Sequence, residues 1–192
     1  MSTAATRKAT YADLEAVPEH LVAEIIGGDL LTRRMPAPVA SSVILHLRCE
    51  LAGGGYASAE RRLALINKPE LHVGGHVIVP SLAAWPTIQI RQALNLGWRD
   101  VPLPFWIAEV VECDSVGYEF ETKRDIYAEA GIAFFWHLDP TLKTLDVFRT
   151  ESRCWRHVER FLAHDIVRAP PFDAIAFPLG HLWPLDDEPA AT

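Results

Sequence analysis

The chain has 192 residues, 49% of them hydrophobic and 22% charged, with a formal net charge of −7. That length suits one well-packed domain better than two, and the acidic balance leaves nucleic-acid contact to local basic surfaces rather than to the chain as a whole. Three cysteines, Cys49, Cys113 and Cys154, with no CxxC spacing argue against a disulfide framework or a zinc cluster. They fit a reduced, cytoplasmic setting. No apolar run approaches about 18 residues, and the opening MSTAATRKAT has no hydrophobic signal core, so neither a membrane span nor export is expected.

In chain order, residues 1–10 read as a flexible start. Thr10 is placed to cap a short helix over Tyr11 to Ala16, which Pro18 ends. Leu21 to Ile26 predicts a strand, Gly27-Gly28-Asp29 a tight turn, and Leu30 to Met35 the return strand. A helix from about Val39 to Leu51 puts Val43, Leu47 and Leu51 on one face. Arg61 to Asn67 reads as a strand, and Pro69 to Val73 leads through Gly74-Gly75 into His76 to Pro80. Ile88 to Leu96 suggests a helical turn within an otherwise irregular stretch. Further on, Thr144 to Arg149 alternates like a half-exposed strand and pairs with Cys154 to Arg160 around Glu151-Ser152. Residues 161–183 look irregular, anchored at Phe172, Phe177, Leu179 and Leu182. The tail 186–192 is acidic and is expected to be disordered, leaving a single domain over 11–185.

The stretch from Pro104 to Pro140 is the most informative. Phe105 to Val111 is an apolar strand interrupted by one carboxylate, Glu109. A helix starting near Glu119 carries Lys123, and a second apolar strand runs from Ile132 to Trp136. Burying a carboxylate in a strand is costly unless it is paired or binds a metal. Glu24 on the early strand is a further acid that could share a site with Glu109 and Lys123. Acids at strand ends can hold a hard divalent cation, and a lysine beside them can stabilise phosphate charge. The same set also reads as a structural ion pair with solvated neighbours. His72 and His76 flank a glycine turn, which does not suit a zinc site. Arg33-Arg34, Arg61-Arg62 and Arg124 could contact phosphates or merely solvate a surface. Trp85, Trp98 and Trp106 could stack on bases or fill a core.

Taken together, Glu24-Ile25-Ile26-Gly27-Gly28, Met35-Pro36-Ala37-Pro38, Pro69 to Gly74, Val79-Pro80, Glu109-Val110-Val111, Lys123 to Ala128, Ala130-Gly131-Ile132 and Trp136 to Pro140 resemble the Uma-type restriction endonuclease family, a bacterial branch of the PD-(D/E)XK nucleases. The likeness runs almost end to end and closes with Pro171-Phe172-Asp173 and Leu182-Trp183. It implies an α/β fold of the restriction-endonuclease-like type, a mixed β-sheet flanked by α-helices. It also implies hydrolysis of DNA with Mg2+ or Mn2+, in which Glu109 holds the metal, Lys123 is the catalytic lysine moved from strand to helix, and Glu24 assists.

Two positions depart from the family pattern. Where the family has its metal-binding aspartate after Val-Pro, this chain has Ser81, which carries no charge at neutral pH. After Glu109 it has Val111-Glu112-Cys113; Glu112 is a candidate substitute ligand, although strand alternation turns it away from Glu109. The expected function is therefore a DNA endonuclease with hydrolysis weakened or lost at Ser81. The alternatives are an inactive nuclease-fold protein that binds nucleic acid or a protein partner, or a homodimeric scaffold.

Overall fold

The computed structural model describes residues 7–53, 63–93, 100–111 and 117–183. A short helix, α1 (Tyr11–Glu15), opens them. Asp13 accepts hydrogen bonds from the Thr10 backbone N–H and hydroxyl, both at 2.7 Å, which fixes the helix start. Strands β1 (Leu21–Ile26) and β2 (Asp29–Arg34) form a hairpin, as do β4 (Leu71–Val73) and β5 (His76–Ile78). Each hairpin turns on two glycines. Gly27 and Gly28 have φ of 66° and 94°, Gly74 and Gly75 of 54° and 86°, and a two-residue loop with both central φ positive is where glycine is needed. The two tips are tied together: Gly27 N–H donates to His76 Nδ1 at 3.0 Å. The hairpins join as one antiparallel sheet in the order β2-β1-β5-β4.

The second sheet is larger. It contains β3 (Leu63–Asn67), β6 (Leu82–Pro86), β7 (Trp106–Val110), β8 (Phe134–Asp139), β9 (Thr144–Glu151) and β10 (Cys154–Leu162), in the order β10-β9-β8-β7-β6-β3. Among the described strands only β7 and β8 run parallel, and α4 (Gly117–Glu129) makes the crossover between them. Such a crossover is what a parallel pair requires. Gly131, at φ 78°, lets the chain leave α4 for β8. The sheet is thus mixed, with helices on its faces, as expected.

Alternation along the central strands divides the core. On one face Trp106, Ala108, Trp136, Leu138, Leu145 and Val147 pack with α2 (Pro38–Gly53) and with the segment holding Phe172, Phe177, Leu179 and Leu182. Trp106, Trp136 and Phe172 meet edge to face, with centroids 5.0–5.5 Å apart, the arrangement that aromatic quadrupoles favour. On the other face Ile107 and Phe135 pack with Ile126 and Tyr127 of α4. Glu109 follows Ile107 at period two, so its side chain belongs to this α4 side.

Several expectations shift. The strand β6 was not foreseen: Leu82 to Trp85 is fully buried on both faces, so it shows no alternation, and its alanines are weak strand formers. The helical turn expected over Ile88 to Leu96 is α3 (Thr87–Ala93). β8 begins at Phe134 rather than Ile132 and runs to Asp139. Trp85 and Trp106 are fully buried and cannot stack on bases. The 161–183 region includes a two-stranded pair, β11 (Ile166–Val167) with β12 (Phe177–Pro178), followed by a 3-10 turn at Leu179–Leu182. Arg61-Arg62, Trp98, Glu112, Cys113 and the tail 186–192 lie outside the described residues.

Candidate functional site

The connection Val79–Ser81 runs from β5 of the small sheet to β6 of the large one, and charged side chains from four elements close on it. From β1, Glu24 accepts the Val79 N–H at 2.6 Å. From β7, Glu109 accepts both the Ser81 N–H at 3.1 Å and the Ser81 hydroxyl at 3.0 Å on the same oxygen. The Ser81 hydroxyl in turn accepts the Val110 N–H at 3.1 Å. From α4, Lys123 reaches Glu109 Oε1 at 2.8 Å, Glu24 Oε1 at 3.0 Å and the Val79 carbonyl at 3.3 Å. From β2, Arg33 lies 3.6 Å from Glu24 Oε2 and donates to the Val79 carbonyl at 3.3 Å.

The three residues singled out by sequence, Glu24, Glu109 and Lys123, therefore meet, and Ser81 joins them. All four are buried, at 5–7% exposure. Of the two structural readings the sequence allowed for this set, the fold produces the ion pair, and Glu24 and Lys123 are buried rather than solvated. One participant was overlooked: Tyr127, fully buried, donates its hydroxyl to Glu109 Oε1 at 2.8 Å. It stands four residues after Lys123, and that spacing on a helix puts two side chains on one face. The signal was present in the sequence.

Electrostatics follow from this packing. Burial, the largest influence on Glu109, pushes its carboxyl up, but the Lys123 charge and hydrogen bond, helped by Arg33 and Tyr127, outweigh it and hold the carboxyl below its ordinary 4.5. For Lys123, burial pushes down, while Glu109 and Glu24 more than offset this and raise it above 10.5. Burial and the two carboxylates together push the Tyr127 phenol well above 10. Glu109 is thus an anion, Lys123 a cation and Tyr127 a neutral donor near neutral pH.

The family model for Uma2, described as "Putative restriction endonuclease", matches residues 10–179. The chain belongs to the Uma2 family. A crystal structure from Anabaena variabilis, described as "a putative nuclease belonging to DUF820", has a TM-score of 0.74 with this protein, covering 91% of this chain and 97% of that one at 18% identity. It shares the fold. No curated protein matches the sequence.

Against this Uma2 background, the donor set can be tested for a divalent cation. A carboxylate offers about four lone-pair positions and a lysine three hydrogens. Glu109 accepts two donors on each oxygen. Lys123 has an acceptor for each of its three hydrogens. Two carboxylates face two cations, so the cluster is already neutral without a metal. Magnesium prefers anionic oxygens with room for its waters, and the hydroxyl of Ser81 is turned to Glu109. Among the described residues no three His, Cys, Asp or Glu side chains are grouped to hold a metal ion. As arranged, these residues do not fit one. The two histidines of the β4–β5 hairpin have other roles: His76 receives Gly27 N–H, and His72 Nε2 lies 2.6 Å from Glu70.

Proposed function

We propose that this Uma2 member engages nucleic acid through its nuclease fold and has lost metal-dependent phosphodiester hydrolysis. The observation that carries this reading is internal closure: every hydrogen of Lys123 and every acceptor position of Glu109 is taken within the chain. A lysine that steadies an attacking water or a scissile phosphate needs a donor to give. A carboxylate that holds magnesium or manganese needs an open lone pair. Ser81 supplies a donor where the resemblance implies an anion, so it deepens the closure. Family membership supports a nucleic-acid partner, with DNA the leading candidate.

The test is incubation of wild type with supercoiled plasmid, single-stranded DNA and RNA in Mg2+, Mn2+ or EDTA, alongside anisotropy of labelled oligonucleotides over a salt series. Salt-dependent binding with no cutting above the EDTA control is the expected result. Metal-dependent cutting that disappears in both Glu109→Gln and Lys123→Met would establish the hydrolase instead. Failure to bind any oligonucleotide even at low salt would leave the homodimeric scaffold as the better reading, to be checked by sedimentation.

A further inference from the structure

Among the described residues, the β1–β2 and β4–β5 hairpins share one registered strand pair, Ile25 with Val77. A hydrogen bond from backbone to side chain flanks that pair on each side. Toward the buried cluster, Glu24 accepts the Val79 N–H at 2.6 Å. Toward the tips, His76 Nδ1 accepts the Gly27 N–H at 3.0 Å. The two bonds differ in kind. Glu24 keeps its place against Lys123 and Arg33. At the tips the acceptor is an imidazole, and an amide N–H can only donate. His76 Nδ1 must therefore present its lone pair, which leaves the proton of the neutral ring on Nε2. A second proton would occupy that lone pair and set two donors against each other. Histidine is the side chain that ordinarily changes charge between pH 5 and 8, and His76 is only half-buried.

The charged groups on the elements that meet here are few. Lys8, in the segment before α1, lays its stem against Gly28, and the exposed Asp29 begins β2. On β4 the residue opposite His76 is the apolar Val73, while His72, bonded to Glu70, belongs to the other face. On β1 the charged residue is Glu24, already engaged at the cluster.

We propose that His76 is a pH-sensitive latch between the two hairpin tips. The neutral ring holds the Gly27 amide, and the protonated ring releases it. Release frees the tips while the Glu24 end of the junction stays bonded, so acid loosens the outer part of the small sheet and leaves the buried cluster in place. The latch is independent of nucleic-acid binding.

The test is solvent exchange of the Gly27 amide in the full chain, followed by NMR and corrected for the intrinsic rate at each pH, with the His76 ring nitrogens reporting their own titration. One net hydrogen bond corresponds to about fivefold in the opening equilibrium. Wild-type protection of Gly27 should fall about fivefold from pH 8 to pH 5, with the same midpoint as the His76 titration. His76→Asn puts a carbonyl oxygen where Nδ1 stands and does not titrate, so protection should stay high throughout. His76→Phe keeps a ring without an acceptor, and protection should be low at every pH. His72→Gln removes the other histidine of this hairpin and should leave the wild-type response unchanged. Wild-type protection that ignores the His76 titration, or an equal fall in His76→Asn, would overturn the inference. So would ring nitrogens showing the neutral proton on Nδ1, and neither of these wild-type readings requires a variant to fold.

Discussion

Replacing Lys123 by methionine keeps the stem and removes the ammonium that serves two buried carboxylates at 2.8 and 3.0 Å. Removing one partner of a buried ion pair costs about 3–5 kcal/mol, because the remaining charge is left uncompensated. Here two carboxylates lose a partner, and we expect about 4 kcal/mol. At roughly 2–4 °C per kcal/mol for a chain of this size, Tm should fall by about 8–16 °C. The pH dependence is the sharper signature. In wild type the folded carboxyl of Glu109 sits below its ordinary 4.5, so its contribution is present above that value and lost as pH falls through the folded pKa. Without Lys123, burial dominates and lifts the folded carboxyl above 4.5. The sign reverses: the variant is least impaired at low pH and loses stability as pH rises toward 7. Thermal melts of both proteins from pH 4.5 to 7.5 should show the gap widening with pH, and Glu109→Gln in the Lys123→Met background should narrow it. A gap under about 1 kcal/mol, or one independent of pH, would refute the account of Lys123 as the counter-ion of this cluster.

Two other substitutions examine the same centre. Tyr127→Phe removes one donor to a buried carboxylate, for which about 1.5–3 kcal/mol is expected; urea unfolding should show a lower midpoint at unchanged m-value. Ser81→Asp puts a third carboxylate against two cations, so it should melt below wild type in EDTA and be rescued by Mn2+ or Mg2+. Saturation at a hundred times Kd would add about 2.7 kcal/mol. Wild type should show no metal-induced shift in the same scan, and an equal shift in both proteins would refute the neutrality argument for Ser81.

Much of the architecture is legible in the chain because its punctuation is local. Paired glycines mark both hairpins of the small sheet, and the run Thr144 to Arg149 marks β9, although Thr144 to Val147 are all buried rather than half-exposed. The carboxylate at 109 and the lysine at 123 stand out because each breaks an otherwise predictable environment. What sequence could not supply was reach. Nothing local in Ser81 says that its hydroxyl bridges Glu109 and Val110 N–H, since that bridge depends on β6 pairing with β7. For the same reason β6 escaped notice, its residues being apolar on both sides. Arg33 reads in the sequence as a phosphate contact or a solvated surface residue, because its place beside Glu24 depends on the β1–β2 register and on β5 pairing with β1.

The Val79–Ser81 connection has a consequence for how the domain comes apart. Its amides are donated to Glu24 of one sheet and Glu109 of the other, and its Val79 carbonyl receives Lys123 from the helix between β7 and β8. Neither sheet can peel away without uncovering a charge held by the other. The two are therefore energetically fused into one cooperative unit, and this geometry disfavours a half-open form with one sheet intact.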